Sequence, residues 1–188
     1  AFINSAINSN LAYRPEFVSN DYTQGKKVSV AIERELRHCD AFYISVAFIT
    51  EGGLAPLKQV LAELRDKGIP GKILTTSYLT FTEPKALKTL ADLSNVEVRV
   101  YDSTDEGASG FHTKGYIFKE EEIYRFIVGS SNMTASAFSV NKEWNAKLVS
   151  TSDGELLKQM MVEFNALWTS EHTYSVEDFI EDYEVRYR

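Results

Sequence analysis

The sequence predicts an α/β domain, a mixed and partly parallel sheet sandwiched between helices. Between positions 40 and 101, three short runs rich in apolar and β-branched residues alternate with two stretches whose apolar residues recur at helical spacing. That order produces parallel strands joined by right-handed helical crossovers. From 111 to 128, two further strand-like runs flank a short acidic turn, the order of an antiparallel hairpin. The length of 188 residues suits one domain, placed at 26–188 after an irregular lead-in at 1–25.

The elements follow in order. The lead-in is polar and broken by Asn, Ser and Pro15. Residues 26–38 place Val28, Ala31, Ile32 and Leu36 on one stripe, which predicts an amphipathic helix. Residues 40–50 (DAFYISVAFIT) are apolar on both alternating faces, as in a central strand covered on both sides. Leu54, Leu57, Leu61 and Leu64 predict the first crossover helix, residues 72–77 a second strand, and 84–93 a second helix with Thr82 as its N-cap. Residues 96–101 form the third strand. After the hairpin come a short helix at 134–138 and a strand carrying Glu143. Ser152 with Glu155 reads as a capping box opening a long helix that buries Leu156, Met160, Phe164 and Leu167. Ser175 caps a last acidic helix ending near Tyr187.

Composition narrows the class. One cysteine, Cys39, excludes a disulfide framework and a cysteine-based zinc site, and suits a reducing cytoplasm. The longest nearly apolar run, 42–49, is too short to cross a bilayer. The net charge of −7 argues against broad, unspecific nucleic-acid binding, yet the last 18 residues alone hold six acids and two bases. A local basic cleft is compatible with that balance.

The stretch that carries chemistry is 110–145, with His112-Thr113-Lys114, then Gly129-Ser130-Ser131-Asn132, then Glu143. On a strand from 111 to 118, His112, Lys114 and Tyr116 share one face, which sets an imidazole beside an ammonium. The hairpin returns the Gly-Ser-Ser-Asn turn to the same end. A lone His-x-Lys is common and a Gly-Ser-Ser-Asn turn alone is commoner still. In this order, on one hairpin and the adjoining strand, they describe an anion-handling site. Ser45, Thr75, Thr76, Ser77 and Tyr78 lie at the ends of the predicted parallel strands, where open α/β sheets bind ligands, and are candidate substrate contacts.

The order His-x-Lys, Gly-Ser-x-Asn, Glu resembles the phospholipase D superfamily, in particular its single-motif bacterial nucleases. The stretches CDAFYISVAFIT, GKILTTSYLTFTEPKAL and NVEVRVYD, with all of 110–145, are similar to the amino-terminal nuclease-like domain of bacterial DEAD/DEAH-type helicases. Two features depart from the pattern: Lys119 stands where the motif usually has Asp, and no G-x-x-x-x-G-K-[ST] loop of an ATPase is present.

The resemblance implies a phospholipase D-like fold and a metal-independent phosphodiesterase without cofactor. A neutral His112 would attack phosphorus and form a phosphohistidine, and Glu143 would accept a hydrogen bond from its other ring nitrogen. Lys114, Ser130 and Asn132 would hold the non-bridging oxygens. It further implies nucleic acid as substrate, DNA ahead of RNA, a homodimer and a neighbouring helicase region. A non-catalytic nucleic-acid-binding module is the second reading. A phospholipid headgroup hydrolase is the third, disfavoured by the absence of a basic amphipathic face.

Overall fold

Eight strands form one sheet in the order β1-β7-β6-β5-β2-β3-β4-β8 in the computed structural model, which describes residues 3–7 and 10–188. In chain order the elements are β1 (Glu16–Val18), α1 (Val28–His38), β2 (Ala41–Val46), and α2 (Glu51–Leu54), which continues through a 3-10 turn into α3 (Lys58–Lys67). Then come β3 (Gly71–Thr76), α4 (Pro84–Ala91), β4 (Val96–Tyr101), β5 (Lys114–Glu120), β6 (Ile123–Gly129) and α5 (Ala135–Ser139). The chain ends with β7 (Asn145–Thr151), α6 (Glu155–Trp168), β8 (Thr173–Ser175) and α7 (Val176–Tyr187). Strands β2, β3 and β4 pair in parallel, as the helical crossovers between them require, and the remaining pairs are antiparallel. The expected mixed sheet between helices is what the chain forms.

The two faces are covered unequally. Phe42, Ile44 and Val46 alternate towards the larger core, where they meet Ile32 and Leu36 of α1, Leu61 and Leu64 of α3, Leu87 of α4, Phe138 of α5, and Phe179 and Tyr183 of α7. On the other face, α6 packs Leu157, Phe164 and Trp168 against Leu74, Tyr101, Ile117 and Phe126. Among the described residues α6 is the one α-helix that contributes to the cores of this face. A groove of about 900 Å³ therefore stays open between the sheet and α6.

Four expectations need correction. Part of the lead-in is ordered as β1, which pairs with β7, and Asn20 ties it down by accepting from the Val28 backbone N–H and donating to the Ala137 and Asn141 carbonyls. Thr82 does not cap α4. Glu83 is the N-cap, and the buried Thr82 hydroxyl accepts from the Ile49 N–H instead. The capping box at Ser152 does not form, because α6 starts at Glu155 with Gly154 as its N-cap. Its buried stripe is consequently Leu157, Phe164 and Trp168, and Leu156 is 52% exposed. The strand expected over 40–50 stops at Val46, where the backbone turns to meet Asn132. Ser175 does cap α7, accepting from the Asp178 N–H.

A buried ion pair clamps α7 to the end of β4. Asp102, 2% exposed, takes both terminal nitrogens of Arg186 at 3.0 and 3.1 Å and the hydroxyls of Ser77 and Thr104. Burial pulls its carboxyl upward, but Arg186, Thr104 and Ser77 together outweigh that and hold it at about 2, against an ordinary 3.8. A carboxyl depressed in the folded state contributes stability above its unfolded value and loses it as pH falls. Between about pH 4 and about pH 2, the protein should lose about 2 kcal/mol through this group. Urea unfolding of wild type and Arg186→Met at about pH 5 and about pH 2 checks this. The variant should be about 3 kcal/mol less stable at the higher pH, since it strands a buried carboxylate. Equal stability of the two proteins at the higher pH would refute the clamp.

Candidate active site

Strand register gathers the candidate residues. Val46 lies opposite Lys114, Gly115 opposite Val128, and Gly129 opposite Asn145, so β2, β5, β6 and β7 come level at one end of the sheet. The residues just beyond that line are Ala47 and Phe48, Thr113 and His112, Ser130 to Asn132, and Trp144 with Glu143.

His112 is not on the strand. β5 begins at Lys114, and the preceding segment is anchored by buried Phe111, which stacks on Tyr101 at 5.4 Å. Thr113 and Ser45 share a hydroxyl–hydroxyl hydrogen bond of 2.5 Å, and the Lys114 ammonium donates to the His112 carbonyl at 3.0 Å. The His112 ring is exposed and lies edge-on to Tyr78, with centroids 4.9 Å apart. Among the described residues its nitrogens make no hydrogen bond, so both are open to a ligand.

The turn at 129–132 is built from inside. Gly129 has no alternative, since a Cβ there would lie 2.2 Å from the Trp144 carbonyl oxygen. Ser130 is exposed; its backbone N–H donates to the Trp144 carbonyl and its hydroxyl accepts from the Trp144 N–H. Ser131 is fully buried: its hydroxyl donates to Glu143 at 2.8 Å and accepts from Asn145, and its carbonyl accepts from the Tyr116 hydroxyl. Burial first, and then the nearby Glu143 charge, push the Tyr116 hydroxyl well above its ordinary pKa, so it stays a donor. The Asn132 side-chain oxygen accepts from the backbone N–H groups of Ala47 and Phe48, both at 3.1 Å. That fixes which end of the amide is which, and leaves its NH2 without a protein partner among the described residues.

Glu143 therefore departs from expectation. It lies in the loop before β7, 9% exposed, and its carboxylate takes the Ser131 hydroxyl rather than the His112 imidazole. The buried Ser131, itself held by Asn145 and Tyr116, accounts for this. Of the strand-end residues, Ser45 lines the groove and Tyr78 touches His112. Thr75, Thr76 and Ser77 are buried, and their hydroxyls serve the fold: Thr75 donates to the Ala47 carbonyl, Thr76 accepts from the Tyr78 N–H, and Ser77 donates to Asp102. Sequence reasoning missed Ser131 and Asn145, which position Glu143. Ser131 occupies the motif's variable position, and no spacing signal distinguishes it.

The family model for the cardiolipin synthase, PLD-like domain matches residues 37–168. The chain belongs to this PLD-like family. It is thereby a phosphodiesterase-type protein of the phospholipase D superfamily. Solved structures agree in fold. NucT from Helicobacter pylori superposes with a TM-score of 0.65 at 15% identity, over 87% of this chain and 99% of its own. The phospholipase D family member Nuc from Salmonella typhimurium gives 0.61 at 15% identity, over 86% and 98%. A phosphatidylserine synthase from Haemophilus influenzae gives 0.59 at 16% identity, over 86% of this chain and 39% of its own. No curated protein matches the sequence. Among the described residues, no helix of this PLD-like chain is long and apolar enough to cross a membrane.

Proposed function

We propose that the protein is a nuclease that cleaves phosphodiesters of nucleic acid, DNA ahead of RNA, through a phosphohistidine on His112. What supports this is the strand register, which brings the segments carrying His112, Lys114, Ser130 and Asn132 to one end of the sheet, where among the described residues the His112 ring nitrogens and the Asn132 NH2 have no hydrogen-bond partner. In the first step a ring nitrogen of His112 bonds to phosphorus and the P–O bond to one nucleoside oxygen breaks, that oxygen leaving with a proton. Water then bonds to phosphorus, giving its proton back to the group that protonated the leaving oxygen, the P–N bond breaks, and the imidazole is restored. Lys114, Ser130 and Asn132 hold the non-bridging oxygens, where charge persists throughout. The groups collected here are a nucleophile and hydrogen-bond donors, which suits chemistry without a metal.

Lys119 stands in place of the motif Asp at the far end of β5, about 17 Å along the strand from Lys114 at about 3.3 Å per residue. Its backbone carbonyl accepts from the Asp40 N–H and its ammonium lies over the Tyr124 ring. It cannot alter the chemistry at His112 directly, which favours the enzyme over a pure binding module.

Proton transfer to the leaving oxygen needs a second group. His38 ends α1, and His172 faces Asp105 at 3.5 Å, so neither belongs to a second His-x-Lys motif. The reading therefore includes a homodimer in which a two-fold axis opposes two copies of His112. It also includes a helicase region as neighbour in the same polypeptide, on the likeness of the stretches at 39–50, 71–87 and 95–102. Cleavage of a labelled oligonucleotide in EDTA, read beside the molar mass from light scattering, tests it. Cleavage that persists in EDTA by a dimer is expected, with affinity falling steeply with salt as phosphate contacts are lost. Binding without cleavage would turn the site into a recognition module, and an active monomer would remove the partner's imidazole.

A further inference from the structure

Beside His112 lies an exposed apolar surface that the fold does not need. The Tyr78 ring meets His112 edge-on at 4.9 Å, Phe48 lies parallel to Tyr78 at 6.3 Å, and Phe81 stands edge-on to Phe48 at 4.9 Å. Leu79 is 60% exposed and Phe81 51%. The segment 77–82 carries no charged residue and no glycine, yet Leu79 and Thr80 both have left-handed backbones, with φ of 50° and 55°. For L-residues with a branched or bulky side chain this conformation is strained. The bend is held from below, where the Thr80 N–H donates to the Ser77 carbonyl and the Tyr78 N–H to the buried Thr76 hydroxyl. A turn kept for stability alone would place glycine at these positions. The strain instead presents Leu79 and Phe81 to solvent next to the nucleophile, as functional sites do.

We propose that Phe48, Tyr78, Leu79 and Phe81 form a stacking platform for an unpaired nucleobase next to the scissile phosphodiester, so that the site selects single strands. The proposal rests on the phosphodiesterase reading of His112 and adds the form of the substrate. An anion site edged by an uncharged aromatic step matches a ligand whose phosphate is followed by a planar ring, which a nucleotide is. Bases in a duplex have both faces covered by their neighbours, and only an unstacked one can use this surface.

The test compares kcat/KM for a single-stranded oligothymidylate with that for the same strand carrying abasic tetrahydrofuran residues. Wild type should prefer the base-bearing strand by about tenfold or more, and Phe81→Ala should remove most of that preference, with Phe81→Trp restoring it. Leu79→Gly relieves the strain while deleting the side chain. It should keep a melting temperature at or above wild type and still lower the preference. A wild-type ratio near one, or a Phe81→Ala loss shared equally by both strands, overturns the platform while leaving the phosphodiesterase standing. Phe81-dependent capture of phosphatidylglycerol vesicles in place of the oligonucleotide overturns it in favour of a lipid. If wild type cleaves neither strand, the reading of the site fails and takes the platform with it.

Discussion

His112→Ala should lower phosphodiester cleavage by about 10⁴-fold or more, because on the proposed mechanism it removes the atom that bonds to phosphorus and not merely a contact to it. The same variant should melt within a degree or two of wild type. The ring is exposed, makes no hydrogen bond among the described residues, and touches the protein chiefly through the edge of Tyr78. Position 112 is held by its neighbours, Phe111 in its stack with Tyr101 and Thr113 in its bond with Ser45, so the loop survives the loss of the imidazole. Lys114→Ala should cost less, on the order of 10²-fold, as expected for one donor to a charged oxygen. Asn132→Ala is a poorer probe, because it also strands the backbone N–H groups of Ala47 and Phe48. Activity of His112→Ala near wild type, with the melting temperature unchanged, would show that another group attacks phosphorus.

The fold was legible where periodicity is strong. Phe42, Ile44 and Val46 interleaved with Tyr43 and Ser45 mark a strand covered on both faces, and the structure places β2 at the centre of the sheet with parallel β3 on one side and β5 on the other. Ends were less legible, because they depend on tertiary partners. Ser152 and Glu155 have the spacing of a capping box, but α6 begins late, and the stripe shifts by one residue from Leu156 to Leu157. Short edge strands escaped for the same reason: nothing local in Glu16–Val18 specifies pairing with β7, which comes from more than a hundred residues away. At the site, residue types and order nominated a polar set but could not show which of its members the fold would engage. Alternation along a strand set His112 and Lys114 on one face, yet β5 begins at Lys114 and the segment before it carries His112. The hydroxyls of Thr75 and Thr76 have the right address and the wrong environment, since burial commits them to Ala47 and Tyr78.

Glu143→Ala should be the most destabilising change at the site, by about 2 kcal/mol, which for a chain of this size lowers the melting temperature by about 4 to 8 °C. The carboxylate is 9% exposed and ends a buried chain in which Asn145 donates to Ser131 and Ser131 donates to Glu143. Removing it leaves the Ser131 hydroxyl without its acceptor in the interior, and groups so orphaned bear the full cost of their desolvation. The damage should reach catalysis because Ser131 lies between Ser130 and Asn132, two of the three residues proposed to hold the phosphate oxygens, and a shift of about an ångström there costs on the order of 10²-fold. Glu143→Gln separates the two effects. It keeps an oxygen for Ser131, so the melting temperature should recover most of the loss, while the negative charge is gone. If Glu143 acts by positioning, kcat should recover with stability, and Ser131→Ala should reproduce much of the Glu143→Ala defect in both. If the carboxylate instead swings to His112 once substrate binds and carries the positive charge of the attacking imidazole, Glu143→Gln should stay slow at wild-type stability and Ser131→Ala should remain fast. The bonds to Ser131 and the burial of the carboxylate favour the first outcome, and kcat measured beside the melting temperature on the three variants decides between them.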